Sequence, residues 1–317
     1  MNIVYNGEMD PRTFKDVLGT AIPRLCEENE NVVYLDADLM SCIGTRKYSI
    51  AHPDRAINCG ISEANMIGVA AGLAACGFKP IVHSFGPFAS RRVFDQVFLS
   101  AGYAGNDMTI IGSDPGVTAA FNGGTHMPFE DIALYRALPG ATIFDVTDAT
   151  MLESLLEQCG DIPGVKYLRV PRKSAAKVFA DGEKIQLGKA VPLREGKDAV
   201  IFASGIMVHE AMQAAEALKA DGIDAAVVNV FEIKPLDTET VCKYARATGR
   251  VVVAENHNKI GGLYSAVCEA LARCNCAAID YVAVEDVYGA VGPQGYLQKQ
   301  FGLTAEHIIE KVKGLMD

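Results

Sequence analysis

Apolar runs of strand length alternate with amphipathic or Ala-rich stretches of helical length from one end of the chain to the other. Segments 32–36, 79–83, 108–112, 141–145 and 165–169 are short, rich in β-branched and aromatic residues, and predict buried strands. The first helix is expected to open with Asp10 as its cap and Pro11 at its first position. Strands that alternate with helices predict an α/β fold with a mainly parallel sheet. After Arg169 the pattern gives way to a polar, Lys-containing segment from Pro171 to about Leu187, and alternation restarts at Asp198. The second series is 199–203, 225–230, 251–255 and 278–284, followed by a helix over 304–313. Two domains are therefore expected, over 1–175 and 190–317, each a mainly parallel sheet with helices on both faces.

Composition narrows the function. The 317 residues, 50% of them hydrophobic, supply two buried cores. Lys and Arg number 29 against 39 Asp and Glu, a net charge of −10 with six neutral His. That balance excludes nucleic acid as the main partner, since the one short basic cluster is Arg169, Arg172 and Lys173. The first residues carry no basic segment followed by an apolar one, and no apolar run approaches the ~18 residues of a membrane span. A cytoplasmic protein without a membrane role is expected. Nine Cys, an odd number with no Cys-x-x-Cys spacing and only Cys274 and Cys276 close together, read as reduced thiols and give no metal site.

Ligands of open α/β sheets gather beyond the carboxyl ends of the strands. Four segments lie there: Asp36 to Ser41, Gly60 to Met66, His83 to Phe88, and Asn122 to Glu130. Glu63 opens an Ala/Gly-rich helix, where a carboxylate either caps the helix or, facing an apolar cavity, shares a proton with a bound base. Phe85 and Phe88 are either core or a platform for a flat heteroaromatic ligand. His126 sits in a Gly-rich loop before Pro128, without the periodicity of a core residue, and is either a surface histidine or a catalytic one. Arg91 and Arg92 follow Phe88, and either can face the crevice.

The ordered set of segments resembles the C-terminal half of transketolase, and in particular the separate C-terminal subunit of split transketolases, a pyrimidine-binding domain followed by the transketolase C-terminal domain. The residues that carry the likeness are Asp36 to Leu39, Gly60 to Met66, Phe85 to Phe88 with Arg92 to Gln96, and Gly124 to Asp131. In the second half they are Phe231 to Asp237, Val253 to His257 with Gly261 and Gly262, Tyr288-Gly289, and Gly292-Pro293. By this resemblance Glu63 hydrogen-bonds the pyrimidine of thiamine diphosphate, so that the cofactor's own exocyclic nitrogen acts as base. Phe85 and Phe88 line the pyrimidine pocket, Asp38 stands beside the thiazolium, Arg92 joins the cofactor-binding group, and His126 contacts the sugar. Arg12 and Ser41 match phosphate contacts, while Asp114 and Asn122 occupy positions where the family carries a histidine and an aspartate that read sugar hydroxyls.

The family's Gly-Asp-Gly motif for magnesium and the diphosphate is missing, the nearest string being Gly160-Asp161-Ile162-Pro163. The resemblance therefore implies a large partner subunit that carries the diphosphate-binding domain and holds Mg, in a hetero-tetramer with the cofactor across the interface. The implied reaction is transfer of a two-carbon ketol unit from a ketose phosphate to an aldose phosphate. Two alternatives remain beside it: decarboxylation of a 2-oxo acid, as in deoxyxylulose phosphate synthases or dehydrogenase beta subunits, and a non-catalytic scaffold subunit.

Overall fold

The computed structural model describes residues 1–316. Strands β1 (Val32–Asp36), β2 (Ala56–Asn58), β3 (Lys79–Phe85), β4 (Met108–Ser113), β5 (Thr142–Asp145) and β6 (Val165–Val170) are parallel neighbours in the first sheet. The second half supplies β7 (Val191–Arg194), β8 (Ala199–Ala203), β9 (Ala225–Asn229), β10 (Glu232–Lys234), β11 (Arg250–Asn258) and β12 (Ala278–Val284). The first sheet has seven strands in the order β10-β5-β6-β4-β3-β1-β2, and the second has five in the order β12-β11-β8-β9-β7. Both are dominated by parallel pairs; the antiparallel exceptions are the edge strands β10 and β7. Strands β1, β4, β5, β6, β8 and β9 are buried at every position, as strands covered on both faces must be.

Three expectations are corrected. The first helix spans Phe14–Glu28 and is capped by Thr13, whose hydroxyl accepts from Asp16 N–H while the Asp16 carboxylate accepts from Thr13 N–H. Asp10 caps nothing: its carboxylate binds the Arg12 side chain and backbone, and its N–H donates to Ala175 O, which ties residues 10–12 to the 172–176 segment. Strand β3 runs two residues past His83, to Phe85. Strand β10, from the second half of the sequence, pairs with β5 and so completes the first sheet.

The two halves share a core. Phe144 of β5 stacks on Phe231, which precedes β10, with ring centroids 6.2 Å apart. At the same junction the fully buried Arg169 donates from Nε to Asp131 at 2.7 Å, lies 3.0 Å from Asp145 through Nη1, and donates from Nη2 to the Asn256 carbonyl at 2.9 Å. Tyr167 and Ser204 complete the shell by donating to Asp131 and Asp145. Glu255 accepts from the N–H groups of Leu263 and Tyr264 at the start of the helix Leu263–Ala272. Burial pushes its carboxyl up to about 7 and pulls the His257 imidazole down to about 4.

Two outcomes follow from this junction. Arg169→Met leaves two buried carboxylates without their cation and is expected to cost about 3–5 kcal/mol in urea unfolding at fixed protein concentration. A loss below about 1 kcal/mol would show that the guanidinium does not hold the halves together. The second outcome concerns pH. The neutral imidazole of His257 contributes stability that is complete above its ordinary 6.5 and is lost as pH falls toward about 4. The protonated Glu255 contributes stability that is complete below its ordinary 4.5 and is lost as pH rises through about 7. The two slopes oppose each other, so His257→Gln should make stability fall with rising pH across that window, and Glu255→Gln should make it rise. Flat profiles for both variants would refute the assignment.

Candidate active site

Strand order reverses beside β1, with β2 outside it on one side and β3 and β4 following on the other. A ligand crevice is expected at the carboxyl ends of β1 and β3. A fully buried polar chain ties three strands together beneath it: Tyr34 donates to Asp36, His83 Nδ1 lies 2.7 Å from the same carboxylate, and His83 Nε2 lies 2.9 Å from Ser113 Oγ.

Above this layer the aromatic residues meet. Phe85 ends β3 and Phe88 follows in the short helical turn Gly86–Ala89, their ring centroids 6.4 Å apart. The His126 imidazole approaches both edge-on, 5.8 Å from Phe85 and 5.1 Å from Phe88. Arg92 covers Phe88, its guanidinium carbon 3.7 Å from the ring centroid, and Nη1 donates to Glu63 Oε1 at 2.8 Å. Glu63 is only 4% exposed at the first position of the helix Glu63–Ala75. Its hydrogen bond goes to Arg92 rather than back to its own helix, which decides against the capping role. Arg91 turns elsewhere, to the Glu130 carboxylate and the Thr125 carbonyl. Thr125 Oγ1 in turn lies 2.9 Å from His126 Nδ1.

On the other side of Phe85, the Arg172 guanidinium carbon lies 5.0 Å from the ring centroid. Arg172 Nε donates to Asp114 at 2.7 Å. Asp114 is 3% exposed; burial raises its carboxyl above the usual range while Arg172 pulls against that rise. The loop from Asp114 to His126 is conformationally costly at its non-glycine positions of positive φ, Asp114 (57°) and Ala120 (49°), whereas Gly116 and Gly123 take positive φ without strain. Asn256 of the second half holds it: the amide oxygen accepts from Val117 N–H at 3.0 Å and the amide nitrogen donates to Pro115 O at 2.9 Å. A Cβ on Gly116 would lie 2.1 Å from the Asn256 amide oxygen, and one on Gly124 would lie 2.5 Å from the Gly289 carbonyl, so both positions need glycine.

Of the residues singled out in the sequence, the structure gathers Glu63, Arg92, Phe88, His126 and Phe85 into one contiguous group. Asp114 reaches it only through Arg172, whose guanidinium pairs with its carboxylate. The Arg12 guanidinium hydrogen-bonds Asp10, Thr150, Glu153 and Asp181. Asp38 lies exposed after β1 with φ 65° and bonds Asn58 through both its carboxylate and its N–H. Ser41 and Asn122 are exposed. Sequence reasoning missed Arg172, Asn256 and Gly289. The basic cluster and the Glu255-Asn256-His257 run were visible as strings, but what they face was not.

Comparison with known proteins agrees with this geometry. Residues 10–177 match the family model for the transketolase pyrimidine binding domain, and residues 188–308 match that for the transketolase C-terminal domain. A 6-deoxy-6-sulfo-D-fructose transketolase subunit from Clostridium sp. (strain MSTE9) is 45% identical over 98% of this chain and 96% of its own length. Transketolase of Mus musculus is 32% identical over 94% of this chain, which spans 48% of that longer protein. Among solved structures, a split-gene transketolase in the form of an inactive β4 tetramer superposes with a TM-score of 0.87 at 36% identity, covering 96% of this chain and 98% of that one. With both halves matched in order over most of its length, the chain belongs to the transketolase family.

Proposed function

We propose that this chain is the small subunit of a two-subunit, thiamine diphosphate-dependent transketolase, which moves a two-carbon ketol unit from a ketose to an aldose. The observation that carries the reading is the buried Glu63 carboxylate beside the Phe85, Phe88 and His126 rings at the strand-order switch. A buried carboxylate next to two aromatic faces fits an aminopyrimidine. When bound, thiamine diphosphate supplies the nucleophilic carbon needed to break a ketose carbon–carbon bond. Glu63 holds a hydrogen bond at the pyrimidine ring nitrogen, and Phe85 and Phe88 orient the ring and exclude water from it. Arg92, 44% exposed at its side chain, keeps Glu63 paired and can turn out to solvent. Asp38 is proposed to stand beside the thiazolium.

His126 faces the sugar. The Thr125 hydroxyl, 2.9 Å from Nδ1, orients the ring and leaves Nε2 to exchange a proton with a reacting oxygen. Ser41 and Asn122 supply rim contacts, and Arg172 with Lys173 meets the anionic end of the substrate. The relative that is named for a sulfonated fructose supports a ketose with a terminal anion, phosphate or sulfonate, as donor.

A partner is needed for the diphosphate and Mg. Asp161, in the string nearest to the family's motif, pairs with Lys79 at the start of β3, whereas Phe85 ends that strand. Seven strand residues put the two about 20 Å apart. Next in sequence to the crevice residues, Ile61 is 77% and Phe121 68% exposed, which suits docking of a second chain. Assembly as a hetero-tetramer in the cytoplasm belongs to the same proposal.

Calorimetry should detect thiamine diphosphate binding, with Mg, by the co-expressed pair and not by this chain alone. Glu63→Ala should leave assembly intact and lower turnover by at least about 100-fold; unchanged turnover would remove Glu63 from the mechanism, and failure of the pair to bind would defeat the cofactor reading. On a panel of ketose phosphates and sulfonates, His126→Ala should lower kcat by about 100-fold or more with cofactor affinity preserved. Arg172→Met should mainly raise KM for the anionic ketoses. If it leaves KM unchanged, the anion is recognised elsewhere.

A further inference from the structure

Far from the crevice, the helix Thr238–Thr248 and the segment after the helix Leu263–Ala272 bring three thiols together. Cys242 Sγ lies 2.8 Å from Cys274 Sγ, and Cys276 follows two residues on. All three are half-buried, and Cys242 and Cys274 line a cavity of about 660 Å³ that is also bordered by Arg246 and Arg273. Neither of those arginines has an ion-pair partner among the described residues. Arg246 stands one helical turn beyond Cys242 and favours a thiolate in the cluster. Hydrogen bonding from Cys242 lowers the Cys274 thiol below its usual range, whereas burial pushes Cys242 up to about 11. The pair thus has two thiols in contact, of which Cys274 is the more acidic. Among the described residues no group of His, Cys, Asp and Glu is arranged to hold a metal ion, which leaves thiol chemistry.

We infer that Cys274 and Cys242 form a peroxide-reactive dithiol, an oxidative modification site on the second domain. The Cys274 thiolate attacks a hydroperoxide oxygen; the O–O bond breaks, the leaving oxygen takes a proton as water or alcohol, and Cys274 becomes a sulfenic acid. The Cys242 sulfur then attacks the sulfenic sulfur, the S–O bond breaks, water leaves with the Cys242 proton, and a disulfide forms. Two thiols lose two electrons and the hydroperoxide gains them, and a dithiol reductant reverses the change. The bond would fasten the helix Thr238–Thr248 to the segment beyond Ala272 at the edge of the cavity.

The test treats the full, reduced chain with hydrogen peroxide, blocks remaining thiols with N-ethylmaleimide and maps peptides by mass spectrometry. The expected product is a Cys242–Cys274 link, reversed by dithiothreitol and formed at least about tenfold faster than oxidation of the exposed Cys76. Cys242→Ser should leave a sulfenic acid on Cys274 that dimedone traps, and Cys274→Ser should abolish both products. Oxidation of Cys274 no faster than that of Cys76, or a bond made to Cys276 in place of Cys242, would overturn the assignment.

Discussion

A guanidinium with no access to water must be neutralised where it sits, and Arg169 is neutralised from both halves of the chain. Asp131 and Asp145 come from the first half, and the Asn256 carbonyl comes from β11 of the second. Such a cluster adds little net stability over a well-packed apolar one, because desolvation offsets most of the Coulomb attraction. Its effect is directional. The guanidinium's contacts to Asp131, Asp145 and the Asn256 carbonyl hold the second sheet against the first, and one of these residues also reaches the functional loop.

That residue is Asn256. Its carbonyl belongs to the Arg169 cluster, while its side-chain amide satisfies the backbone of Pro115 and Val117. Two non-glycine residues with positive φ, Asp114 and Ala120, store strain that an unsupported loop would release. Support from the other half keeps the loop in shape and carries His126 to the edges of Phe85 and Phe88. The second domain has no side chain within the aromatic group, yet the geometry of the group depends on it.

Much of the fold was legible because buried strands and amphipathic helices leave a periodic trace. Strands β1, β5, β8 and β12 fall where hydrophobic runs lie, with only small differences at the ends. The short edge strands β2, β7 and β10 leave almost no such trace, since three or four residues cannot establish a period. The helix start at Asp10 was misplaced because local capping rules are blind to a hydrogen bond with Ala175, far along the chain. At the site, Glu63, Phe85, Phe88 and His126 were recoverable from ordered motifs. The partners of Arg12 and Asp114 were not, because they lie up to 169 positions away in the chain. Arg169 and Arg172 stood together as a basic cluster, and only burial separates the one that clasps the halves from the one that faces the crevice.

Strand β10 bears on how this polypeptide can be divided. It is contributed by the second half but hydrogen-bonds β5 of the first, and the Lys234 ammonium donates to the carbonyls of Arg136 and Leu138 beside it. Severing the chain between its two sheets would strip β5 of its outer neighbour, open an adhesive strand edge and unroof the guanidinium cluster in the same cut. The two matched domains are therefore separable as sequence modules but not as physical ones.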